Sequence, residues 1–179
     1  MTKEVLDMDT GLLILRVAFG LAFAAHGAQK LFGWFKGYGV KGTGGFLESL
    51  GFRPGRLVAA SLGATEIVGG LLLAGGLFTP LAGAIVIGVM INAIFIVKRR
   101  EGFLGGYELE FLYLVAGLAA AFVGPGEYAL DALAGWSLNG SAWGLGALAL
   151  GVVTAVLAMA SRRPAAPAVA PATEERRAA

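Results

Sequence analysis

The sequence predicts an all-α integral membrane protein, a bundle of apolar helices, and three observations carry that prediction. Of its 179 residues, 57% are hydrophobic and 15% charged, and the mean hydropathy is +0.76, far above an ordinary globular domain. The apolar residues gather in five stretches, at residues 11–33, 57–78, 80–97, 107–123 and 142–160. A bilayer-crossing helix needs about 17–25 residues, which those stretches supply. Finally, connections rich in lysine and arginine alternate with connections that have none, as in a chain that crosses a membrane repeatedly.

The first stretch follows Lys3, Glu4, Asp7 and Asp9, so it lacks the positive lead of a secretion signal, and its apolar run is too long for one. It reads as a retained span behind an N-terminal tail of residues 1–10. Residues 34–56 hold seven glycines and a short apolar segment with Phe46, Leu47, Leu50 and Phe52. The expectation is a flexible loop with an interfacial anchor. The string GYGVKGTGGF lacks the Gly-Lys-Ser/Thr ending of a phosphate loop and follows no strand, which excludes that reading.

Between the second and third stretches the connection is tight. Thr79 is expected to cap a helix starting at Pro80, where the missing amide does no harm, and the two helices should be antiparallel neighbours. Gly69, Gly70, Gly75 and Gly76 are expected to let helices approach closely. After the fourth stretch, Glu127, Tyr128, Asp131 and Trp136 suggest an interfacial turn with aromatic rings at headgroup level. The domain division is then a membrane domain at 11–135, an additional transmembrane segment at 136–161 and a Pro/Ala-rich tail at 162–179, expected to be disordered.

Twelve of the fourteen basic residues fall on one side of that topology: Lys30, Lys36, Lys41, Arg53 and Arg56, then Lys98, Arg99 and Arg100, then Arg162, Arg163, Arg176 and Arg177. The positive-inside rule therefore predicts a cytoplasmic (inner) membrane protein with an outside amino terminus and a cytoplasmic carboxyl terminus. These charges set topology, and no nucleic-acid partner is read from them. The chain has no cysteine and one histidine. It supplies no disulfide, thiol relay, bis-His haem or cysteine-ligated cluster, and no metal site is expected. Any redox role would need a bound cofactor or a partner protein.

Eight polar residues sit within or at the edge of the apolar stretches: Arg16, His26, Gln29, Lys30, Glu66, Asn92, Glu108 and Glu110. An ionised side chain at mid-bilayer costs at least about 2.5 kcal/mol, so such groups usually face a bundle interior, a partner charge or a wet cavity. At about 100° per residue, Arg16, His26 and Lys30 share one face of the first helix, whereas Glu108 and Glu110 point about 200° apart. Taken as one set, the eight form a candidate binding cluster. Each also has an ordinary expectation: a structural ion pair or outward snorkelling for Arg16 and Glu66, packing for His26, interfacial snorkelling for Lys30, interhelical bonding for Asn92.

Three blocks, LRVAFGLAFAAHGAQKLFGWF, LGATEIVGGLLLAGGLFTPLAG and GGYELEFLYLVAGLAAAFVGPGEYALD, in this order and spacing, resemble the DoxX family of small bacterial membrane proteins. The resemblance covers about residues 11–135, the most distinctive part being the HGxQKxFG ending of the first span. It implies a four-helix transmembrane bundle, to which this chain adds a fifth C-terminal helix. It marks His26, Gln29, Lys30, Glu66 and Glu108, with Gly105 and Gly106, as family-typical positions without assigned roles. Functionally it implies association with thiosulfate:quinone oxidation, oxidative-stress complexes or responses to quinones and aromatic compounds, with quinone as the candidate cofactor.

The leading expectation is an accessory subunit of a membrane redox or oxidative-stress system, partnered by the lipid bilayer and by a redox protein or a second copy. A quinone-linked oxidoreductase subunit is the enzymatic alternative, with His26 and Glu66 or Glu108 handling protons and Lys30 or Arg16 stabilising an anionic substrate. A small-solute carrier is the third, although no internal repeat supports it. A purely structural bundle with an internal ion pair also stays open.

Overall fold

A computed structural model describes residues 3–163. The chain is all-helical over that range, and five helices are long and apolar enough to cross a membrane: Met8–Phe32, Gly55–Gly75, Thr79–Lys98, Phe103–Val123 and Ser141–Ala160. Large apolar side chains such as Leu71, Leu112 and Val156 stay exposed on the outer faces, as lipid-facing surface requires. The chain is a multi-pass membrane protein.

Helix α1, Lys3–Phe32, begins earlier than expected, so the helix takes in most of the expected N-terminal tail. Helix α3, Gly55–Gly75, packs antiparallel to it along small residues. A Cβ built on Gly70 would run into the Gly20 carbonyl oxygen, and one built on Gly27 would lie 2.5 Å from that of Gly63. Glycine at these positions lets the two backbones touch. Facing residues in this register have numbers that sum to 90 or 94, as in Gly20 with Gly70 and with Ala74, a detail that decides which polar side chains can meet. Gly69 likewise accepts Ile85 of the next helix, but Gly76 serves a different purpose. It ends α3 in the left-handed conformation, φ +63°, with Leu77 N–H donating to the Leu72 carbonyl at 2.9 Å and Gly76 N–H to Leu73 at 3.1 Å.

Helix α4, Thr79–Asn92, continues into a π-helical turn at Ala93–Lys98. Helix α5, Glu108–Val123, is entered through the kinked segment Phe103–Tyr107. Tyr113 of α5 closes the four-helix arrangement by meeting the rings of Phe19 and Phe23 of α1, at 5.4 and 6.0 Å. Helix α7, Ser141–Ala160, lies against α4 and α5 through Gly144, Ala147, Gly151 and Ala155, whose spacing makes one small-residue stripe.

The connection at residues 34–56 departs from the expected flexible loop. It folds into helix α2, Gly39–Ser49, and Leu47 and Phe52 are buried with Ala59 of α3 instead of anchoring in the membrane interface. Burying them against protein satisfies the apolar surface that the sequence pattern would equally allow in lipid headgroups. The end of α7 ties onto this segment: Arg162 Nε donates to the Leu50 carbonyl at 2.9 Å, its guanidinium lies over Phe52, and Arg163 N–H donates to Gly51 at 2.8 Å. Arg162 and Arg163 are therefore ordered, and the rest of the expected disordered tail lies outside the described residues.

At the opposite end, the short helix α6, Leu130–Leu133, delivers the fully buried Asp131 to the start of α4. Asp131 Oδ1 accepts from Phe78 N–H at 2.7 Å, and its Oδ2 accepts from Thr79 N–H and the Thr79 hydroxyl at 3.0 and 2.9 Å. Thr79 thus does not cap α4 with its own side chain. An aspartate about fifty residues away does, and its charge suits the helix N-terminus. Tyr128 and Trp136 remain half-exposed nearby, Trp136 stacked on Phe78 at 5.1 Å, in keeping with the expected aromatic turn.

Candidate functional site

A cavity of about 410 Å³ lies where α1, α2, α3, α4, α5 and α7 converge at the end of the bundle that carries the basic connections. Its walls are mainly apolar: Leu47 and Phe52 from the α2 segment, Leu62 from α3, Ile85, Val89 and Met90 from α4, Ile96 from the π turn. Into it come His26, Lys30, Glu66, Asn92 and Glu110, five of the eight residues singled out from the sequence. Both α4 and the entry to α5 leave regular α-helical geometry beside it. Such π turns are often found at functional sites, because the added residue re-aims neighbouring side chains.

Lys30 and Glu66 form the central contact, with Nζ 2.6 Å from Oε2, and the glutamate side chain is 3% exposed. Lys30 also donates to the His26 carbonyl at 3.3 Å. This replaces the expectation that Lys30 snorkels to the interface, and also the pairing of Arg16 with Glu66. The α1/α3 register is the reason. It sets Glu66 across from residues 24–28, where the Lys30 side chain reaches back past His26 to meet it, and Arg16, about 15 Å from His26 along the helix axis, across from Gly76. A shared helical face says nothing about shared depth.

Arg16 is instead buried at the other end, 1% exposed, with Nη2 donating to the Tyr128 carbonyl at 2.7 Å. Asp131 is the carboxylate whose charge acts on it. Asp9 stands nearby in the same layer, accepting from Glu127 N–H at 3.1 Å. Arg16 neither snorkels nor belongs to the cavity.

Gln29 lies outside the lining but fixes His26. Its Nε2 donates to the Phe35 carbonyl at 3.1 Å, so its amide oxygen is the atom 3.1 Å from His26 Nδ1. That oxygen can only accept, so His26 carries its proton on Nδ1 and Nε2 is left as an acceptor when the ring is neutral. The imidazole also meets Tyr113 edge-on at 5.9 Å.

Asn92 does not join two helices. Its Nδ2 donates to the Gly88 carbonyl of its own helix at 2.9 Å. Glu110 Oε1 lies 3.3 Å from Lys98 Nζ, which also donates to the Gly106 carbonyl at 3.1 Å. Glu108, on the other side of α5, is half-buried and does not line the cavity. The opposed directions of Glu108 and Glu110 expected from helical geometry are present.

Sequence reasoning missed Tyr113 and Lys98, and missed Thr154 of α7, which lines the same cavity. Tyr113 had a usable signal, being three residues after Glu110 on one helical face. Lys98 had been assigned to topology alone. Thr154 lies in the span for which no role was foreseen.

The DoxX family model matches residues 11–99, from α1 through the π turn after α4. Over 125 residues the chain is 33% identical to the candidate oxidoreductase CatD of Bacillus subtilis (strain 168), a match that takes in 70% of this chain and 87% of that protein. No solved structure matches the chain. The family match spans the cavity walls from α1 to α4, and the bacterial relative is covered over nearly its whole length: the chain belongs to the DoxX family.

Proposed function

We propose that this protein is an accessory component of a membrane redox or oxidative-stress system that holds a lipid-soluble, quinone-type ligand in the basic-end cavity. The observation that carries the reading is the cavity itself. Its volume falls in the range of small-molecule sites, about 300–1,000 Å³, and it joins apolar walls to a few fixed polar groups, as a ring with polar substituents requires. Lys30, Asn92 and Glu110 would meet such substituents, and Leu62, Val89 and Ile96 the ring and tail. The chain has no cysteine, so electrons would pass through a ligand or partner. The candidate-oxidoreductase designation of the Bacillus relative supports the redox assignment.

The protein isolated at native expression from its own membrane is expected to retain a quinone at about one per chain, read by native mass spectrometry. Leu62→Trp, which fills the cavity, should abolish retention while leaving thermal unfolding within a few degrees of the parent. A bare chain, or equal retention by the filled variant, would sink the proposal. A quinone-linked catalytic subunit is the second reading, favoured by the Nδ1 proton that Gln29 imposes on His26, which leaves Nε2 as a base. Quinone reduction by the purified chain with an added donor would select it.

The proposal also places the basic end in the cytoplasm of the inner membrane, on the alternation of basic connections. The cysteine-free chain makes the test direct. A single cysteine at Tyr128 should react with an impermeant maleimide in intact cells, and one at Lys36 only after lysis. The reverse pattern would invert the orientation.

A further inference from the structure

We infer that the cavity selects an electrically neutral ligand and rejects anions, and that its ligand enters from the bilayer. This rests on the proposed ligand-binding role and names the class of molecule. Among the described residues, the charged side chains lining the cavity are Lys30, Glu66 and Glu110, beside the imidazole of His26. The single lining cation is already paired to Glu66 at 2.6 Å, and Glu110 to Lys98 at 3.3 Å. No lining cation is left over for an anionic head, and the carboxylates outnumber the lining cation. An anion would have to separate a buried pair or sit against Glu110 in apolar surroundings, where like charges repel strongly. A neutral head needs only hydrogen bonds. This assignment removes the sequence-level role of Lys30 or Arg16 as stabiliser of an anionic substrate.

The walls point to the route of entry. Val97 and Leu109 line the cavity yet are 40% and 47% exposed, and Thr154 is exposed too. All three lie within membrane-spanning helices, so the surface they expose faces lipid. A neutral amphiphile dissolved in the bilayer reaches the cavity there without crossing water.

The test compares 4-octylphenol with 4-octylbenzoate, which share a tail and differ at pH 7 in the charge of the head. Binding of each to the full-length protein in nanodiscs is measured by equilibrium dialysis. The phenol is expected to bind at least about 30-fold more tightly, a difference of about 2 kcal/mol. Glu66→Gln frees the lysine, and this variant is expected to gain at least tenfold in affinity for the benzoate, a gain that misfolding cannot produce. Thr154→Trp should slow phenol uptake. Equal wild-type affinities for the two probes, or tighter benzoate binding, would overturn the neutral-ligand inference while leaving a ligand site in place. So would a Glu66→Gln variant that binds the phenol but gains nothing for the benzoate. Unchanged uptake by Thr154→Trp would overturn the route. Failure of the wild type to bind either probe would remove the ligand-binding reading beneath it. Should Glu66→Gln fail to fold, the wild-type pair of affinities decides by itself.

Discussion

Lys30→Met is expected to cost about 3–5 kcal/mol of stability, the range seen when one member of a buried ion pair is removed. The size follows from what is left behind. Glu66 is 3% exposed and has Lys30 as its cationic partner at 2.6 Å, so the variant strands a carboxylate in apolar surroundings. Removing the other partner is milder, because Lys30 is 25% exposed and can turn its ammonium to the water at the basic end. The double variant Lys30→Met, Glu66→Leu should recover most of the loss, since replacing a whole buried pair by apolar groups is often neutral or better. Chemical unfolding in detergent micelles measures all three. If Lys30→Met falls within about 1 kcal/mol of the parent, the pair is not a buried structural element. The two charges would then have to be explained by ligand binding alone.

Asp131→Ala is expected to cost as much, again about 3–5 kcal/mol, at the opposite end of the molecule. Three donors lose their acceptor at once: Phe78 N–H, Thr79 N–H and the Thr79 hydroxyl. Arg16, 1% exposed, loses the carboxylate charge acting on it. Each stranded buried donor costs about 1–3 kcal/mol, and partial rearrangement keeps the sum below simple addition. Asp131→Asn keeps one acceptor oxygen and should fall between. Hydrogen exchange locates the effect: amides at the start of α4 should open faster in Asp131→Ala, whereas those around Lys30 should not change. An unchanged melting transition would mean that another group caps α4.

The two ends are thus built from the same kind of residue for different ends. At the Asp131 end the charges are sealed among backbone partners, amides around Asp131 and the Tyr128 carbonyl at Arg16, and this region holds helices together. At the Lys30 end the charges border a cavity with a route to the surface, and that is where binding can occur. Reading the eight polar residues as one cluster merged these two layers.

How much was legible without the structure depends on the distance over which each feature is decided. Five spans, their alternation and the basic asymmetry of the connections follow from runs of apolar side chains and the cost of unpaired backbone groups in lipid, which are local to each segment. The HGxQKxFG block and its companions placed the chain in its family for the same reason, as contiguous patterns. His26, Lys30 and Glu66 stand out in apolar runs, since burial of such groups is costly wherever they end up. Their partners were not legible. That Lys30, and not Arg16, meets Glu66 depends on the α1/α3 register, which glycine contacts between the two backbones set, and no single helix contains it. That Asp131 caps α4 depends on a chain reversal bringing α6 back across the bundle. That Leu47 and Phe52 roof a cavity instead of lying in headgroups depends on α7 fastening the segment through Arg162. The sequence by itself determined which segments enter the membrane and which residues need a partner there, because transfer free energy is a property of each side chain. Only the tertiary structure decided which partner each one has, because a hydrogen-bonded contact forms only when donor and acceptor meet at close range, and that depends on the register between helices.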